Sequence, residues 1–127
     1  MLNSTLSPPR ADKAAIIGAL SALFQPDAVI ELRALHKGKK RTDAGYFDGE
    51  HREALADAAV SLNASGAAVY VTLNQLDPQL LGRYHNRLEN YATDTATDAN
   101  ITRRYWLLID LDPVRPKVSA RQTQVDF

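Results

Sequence analysis

Cysteine is absent from the chain, which excludes disulfides, thiolate zinc sites and cysteine nucleophiles. The absence fits a reducing cytosol, so the expected compartment is cytoplasmic. Long hydrophobic runs are missing too. The longest uncharged stretch, Ala14 to Pro26, is too short to span a bilayer. Asp12 precedes it and no small-residue cleavage site follows, so it reads as an amphipathic helix and not as a signal peptide. No membrane partner is expected. Nor does one sign of charge dominate: 15 Lys and Arg stand against 15 Asp and Glu. That balance argues against a uniformly basic nucleic-acid binder and leaves local basic patches free to act. There is no glycine-rich phosphate loop, no internal repeat and no low-complexity block. The histidines His36, His51 and His85 never pair at a metal-ligand spacing on one element.

What remains is a chain of 127 residues, 45% hydrophobic, enough for one small domain with a real core. Residues 1–11 are polar and predict a loose arm; the domain is expected over 12–120 and a tail over 121–127. From Asp12 the pattern is helical, with Ile16, Ile17, Leu20, Leu23 and Phe24 on one face and Pro26 as the stop. Ala28 to Leu35 alternates, Ile30, Leu32 and Ala34 against Glu31 and Arg33, and predicts a half-buried strand. A turn at His36 to Lys40 leads to a second strand at Ala44 to Asp48. Asp48 is placed to cap a helix reaching Asn63, with Leu55, Ala58, Ala59 and Leu62 inward. Ala67 to Leu73 reads as a strand, Asp77-Pro78 as the start of a short helix, and 89–100 as a polar loop. Arg103 to Asp112 is the strongest strand, apolar on both faces and therefore expected to be central and doubly covered. This order predicts an α/β or α+β domain, a mixed sheet with flanking helices.

The sharpest chemical feature is Leu107-Leu108-Ile109-Asp110-Leu111-Asp112. Residues two apart on a strand share a face, so Asp110 and Asp112 project together. Two such carboxylates repel and are costly to bury unpaired. A divalent cation removes both problems, and Mg2+ or Mn2+ prefers carboxylates plus substrate phosphates, as in metal-assisted phosphoryl transfer. The plainer alternative is a strand end before a turn at Pro113. A second feature is the basic turn: Arg33, Lys37, Lys39, Lys40 and Arg41, with His36 among them and Tyr46 and Phe47 close behind. Cations beside aromatics suit a nucleic-acid strand; lysines also serve a solvated hairpin tip. Arg83, His85, Arg87, Arg103 and Arg104 form a second basic group that reads as surface charge. Asn74, after a strand, is a candidate polar site residue or a turn initiator.

The string Arg103-Arg104-Tyr105-Trp106-Leu107-Leu108-Ile109-Asp110-Leu111-Asp112-Pro113-Val114-Arg115-Pro116 resembles the first catalytic motif of archaeo-eukaryotic-type primases. It is most similar to the primase-polymerase domains of phages and mobile elements. Ile30-Glu31-Leu32-Arg33, Gly45-Tyr46-Phe47-Asp48 and Val69-Tyr70-Val71-Thr72-Leu73-Asn74 resemble that family's N-terminal half, in the same order. The resemblance implies the corresponding half of a DNA-replication nucleotidyltransferase domain, with Asp110 and Asp112 as its catalytic, metal-holding pair. It also implies a later Ser-x-His-type motif and a third acid. No histidine follows Asp112, and Asp126 lies on an unpatterned tail, Arg121 to Phe127, where relatives continue with acidic helical sequence. The expectation is a truncated domain that binds single-stranded nucleic acid weakly and is catalytically incomplete alone. The rival is a small phage-derived inhibitor that docks on a host protein complex, of the anti-CRISPR type. A third alternative is a piece cut from a longer enzyme.

Overall fold

The computed structural model describes residues 11–107 together with 109, 111 and 114. Most of the expected arm, the whole tail, and Asp110 and Asp112 lie outside the described residues. Helix α1 runs Lys13–Leu23 and starts where Asp12 accepts hydrogen bonds from the backbone N–H groups of Ala14 and Ala15, satisfying donors that a helix start leaves unpaired. It stops as Phe24 turns extended ahead of Pro26. Strands β1, Ile30–Leu35, and β2, Thr42–Phe47, form the predicted hairpin, with Ile30 opposite Phe47 and Leu35 opposite Thr42. Helix α2, Arg52–Ala64, follows. Its N-cap is His51, which makes no side-chain cap bond. Asp48, expected as the cap, stands a turn too early and instead accepts from the Glu50 N–H at 3.0 Å and pairs with His51 Nδ1 at 2.6 Å.

Strand β3, Ala68–Val71, returns beside β1, and β5, Leu88–Glu89, beside β2, giving the sheet order β3-β1-β2-β5, antiparallel throughout. Two residues, β4 (Gln75–Leu76), pair with β6 (Ile101–Arg103) in a separate ribbon. The fold is therefore α+β: the sheet pairing is not the mixed one expected, and one isolated parallel bridge, Tyr46 to His85, is its only parallel element among the described residues. Both helices pack on one face, where Leu20, Ile30, Leu32, Phe47, Leu55 and Leu62 form the main core. Each fully buried side chain of this kind contributes about 1.5–3 kcal/mol. Gly45 is required here, because a Cβ at that position would collide with the Arg87 carbonyl where the chain enters β5.

The opposite face departs from the half-buried strand that alternation predicts. Glu31 and Tyr46, opposite each other in register, are fully buried. A second small core of Val29, Leu76, Leu80 and Tyr84 covers Tyr46, drawn from the 3-10 turn Pro78–Gly82 and the chain around it. The long strand predicted at 103–112 is also revised. Strand β6 ends at Arg103, residues 104–107 are not strand, and Leu107, Ile109 and Leu111 are 81%, 65% and 86% exposed. A strand extends only as far as a neighbour supplies hydrogen bonds, and β4 offers two residues with a register shift between them.

Candidate nucleic-acid interface

The hairpin tip is built around a buried acid. His36 to Lys39 make a tight turn closed by the Lys39 N–H donating to the His36 carbonyl at 3.1 Å, with Gly38 at φ 75° in the left-handed region that glycine tolerates. Asp43 lies beneath it. Its carboxylate accepts from Arg41 Nε at 2.9 Å and Nη2 at 3.0 Å and from the Tyr91 N–H at 2.9 Å, and it pairs with His36 Nε2 at 2.8 Å. Burial alone would push this carboxyl up; the hydrogen bonds from Arg41, Tyr91 and His36 outweigh it and leave the group below its ordinary value. Tyr91 has φ 54°, a conformation costing of order 1 kcal/mol for a side-chain-bearing residue. The Asp43 bond and the Arg41 guanidinium, 4.4 Å from the Tyr91 ring centre, offset that cost.

This network separates the six residues proposed for nucleic acid into two sets. Lys37, Lys39 and Lys40 are exposed on the turn, and none takes part in an ion pair among the described residues. The arginines are committed inward. Arg41 serves Asp43, while Arg33 binds the buried Glu31, Nη2 to Oε1 at 2.6 Å, and donates to the Ala96 carbonyl at 3.2 Å. Glu31 also accepts from the Ala96 N–H at 2.6 Å, so the pair fastens the 89–100 loop to the sheet. Tyr46 is corrected outright as a stacking residue. It is fully buried, stacks on Tyr84 at 5.9 Å, and its hydroxyl accepts from Arg83 at 3.3 Å. Burial, helped by Glu31 and opposed by Arg83, pushes that hydroxyl up to about 12. Phe47 belongs to the helix-side core.

The second basic group does not converge. Arg83 serves Tyr46, Arg87 pairs with Glu89 at 2.7 Å, and Arg103 lies 5.9 Å from the Tyr105 ring centre. Asn74 has a larger role than turn initiation. It is buried, accepts from the Tyr105 and Trp106 N–H groups at 2.9 Å each, and donates to the Trp106 carbonyl at 3.0 Å. The Trp106 indole N–H donates to the Leu23 carbonyl at 2.7 Å. Together they moor the segment that leads toward Asp110, beside a cleft of about 390 Å³ that Thr72, Asp98 and Arg104 help to line.

No family model, curated protein or solved structure matches the chain. Among the described residues no three His, Asp or Glu side chains gather to hold a metal ion, and Asp110 and Asp112 fall outside them. Among the described residues, too, no helix is long and apolar enough to cross a membrane. The sequence reading overlooked Tyr70, which is 54% exposed on β3. Its signal was the alternation Val69, Tyr70, Val71, which sets the tyrosine on the opposite face from Val69.

Proposed function

We propose that this chain is a nucleic-acid-handling module of the primase-polymerase kind, cytoplasmic, gripping the phosphates of a strand with Lys37, Lys39 and Lys40. The observation that carries this is the hairpin tip: three exposed lysines, without ion partners among the described residues, on a turn held in shape by buried Asp43. A fixed turn presents its charges with less ordering cost on binding than a loose one. Asp110 and Asp112 supply the metal-holding half of the reading. Two carboxylates two residues apart fit a hard divalent cation, Mg2+ or Mn2+, which would neutralise charge on a substrate phosphate there.

Anisotropy titrations of a labelled oligonucleotide at several salt concentrations test the first half. Affinity should fall steeply with salt, and replacing the three lysines by Ala should flatten the log–log slope by about 2, at ~0.7 per phosphate contact on a single strand. An unchanged slope in the triple variant removes the turn from the interface. In a parallel arm, Mn2+ relaxation enhancement should be lost in Asp110→Asn with Asp112→Asn; enhancement that persists discards the metal pair. A second reading, a protein-directed inhibitor, is favoured by one observation: Leu107, Ile109, Leu111 and Val114 expose apolar side chains along one segment. Under it the lysine changes cost little, and mainly in association rate.

A further inference from the structure

Tyr70 is a sheet residue whose position neither core explains. Tyr70 stands on β3, directly opposite Arg33 of β1, with Ala68 opposite Leu35. Directly opposed residues of an antiparallel pair share a face. Tyr70, Arg33 and Leu35 therefore lie together on the side away from the helices, and Tyr70 and Leu35 are both exposed. They border a groove of about 330 Å³ that the buried Glu31 and Thr72 also line. The Glu31 carboxylate is answered by Arg33, bound to it at 2.6 Å. Following β1 onward from Arg33, the chain reaches Lys37 within about 13 Å, at some 3.3 Å per residue.

We propose that Tyr70 and the Arg33 guanidinium form a stacking platform for an unpaired nucleobase, whose phosphates run toward Lys37, Lys39 and Lys40. This rests on the nucleic-acid reading and adds to it the groups that hold an unpaired base. Aromatic rings and guanidinium planes are the groups on which unpaired bases stack. The adjoining lysines give the charge complementarity that a peptide's apolar side chain would not need. A duplex keeps its base faces occupied and gains only the lysines.

The test uses the full chain with four probes: oligo-dT, an RNA strand of the same length, an abasic strand of the same length, and a duplex. Oligo-dT and RNA should bind more tightly than the abasic strand, which carries the same phosphates without bases, and more tightly than the duplex. Tyr70→Ala should weaken oligo-dT by roughly five- to hundredfold with its salt slope unchanged, because stacking releases no counterions. Tyr70→Phe, which keeps the ring, should restore most of the affinity. Tyr70 is exposed at a sheet edge, and a thermal melt of each variant checks that the fold is kept. If Tyr70→Ala binds oligo-dT as wild type does, or the abasic strand binds equally well, the platform is wrong while the lysine turn stands. If wild type binds none of the four probes, both fall together. If Tyr70→Ala instead abolishes only a protein contact, the groove is a peptide site and the proposal is overturned.

Discussion

The β1–β2 hairpin and the segment from Arg104 to Asp112 both carry strand patterns in sequence, yet they end differently. In the hairpin each strand has a neighbour on both sides, β3 beyond β1 and β5 beyond β2, and both faces are covered over residues 30–32 and 43–47. Its acids Glu31 and Asp43 are fully buried with two or more hydrogen bonds each. Past Arg103 the sequence has the stronger strand pattern, yet none of the described residues there is strand, and Leu107, Ile109 and Leu111 face solvent. Alternation states which side chains travel together. Whether they are buried depends on a backbone partner and a covering layer, which come from elsewhere in the chain.

The largest effect should come from breaking the hairpin's buried anchor. Asp43→Ala leaves Arg41, His36 and the Tyr91 N–H without their acceptor and should cost about 2–4 kcal/mol in urea unfolding. A loss under about 1 kcal/mol would mean the turn holds itself. The same variant gives a pH signature. Asp43 sits below its ordinary value in the folded protein, so its contribution is present above about pH 4 and is lost as pH falls through that lower value. The stability gap between wild type and Asp43→Ala should therefore be full at pH 6 and shrink toward pH 3. Asp48, also held low because His51, Asn86 and the Glu50 N–H outweigh its burial, adds a fall of the same sign to both proteins. A gap that widens on acidification would reverse the assignment.

A smaller effect is expected at the moored segment. Asn74→Ala removes three hydrogen bonds to Tyr105 and Trp106 and should cost about 1–2 kcal/mol. It should also lower amide-exchange protection at residues 105 and 106 while leaving β1 and β2 protected. If protection falls equally in the hairpin, the two regions unfold as one and the contrast between them fails.

These residues mark what was legible in advance. The two helices, the hairpin and the lysine turn could be read because their causes are local: helical spacing, the stop at Pro26, the alternation from Ala28 to Leu35, and Gly38 among the cations. Glu31 and Tyr46 were misplaced toward solvent, and Asp43 was not singled out, because their partners include residues distant in sequence. Ala96, Tyr91 and Tyr84 arrive only when the chain after β3 folds back over the sheet. Tyr46 follows the cationic turn in sequence, as a stacking residue should. Its register with Glu31 puts it on the face that Leu76, Leu80 and Tyr84 then close. Tyr70 has the same register logic and stays exposed, because that layer does not extend across β3. The proposed site thus kept its lysines and exchanged one tyrosine for another.

The most direct test of the central claim is a map of amide chemical-shift changes in the labelled protein as oligo-dT is added at low salt. The nucleic-acid account predicts changes concentrated at residues 36–41 and 68–72, saturating together with the anisotropy titration. Changes confined to residues 104–111, or none at any concentration, would contradict it and leave the exposed apolar segment as the functional surface.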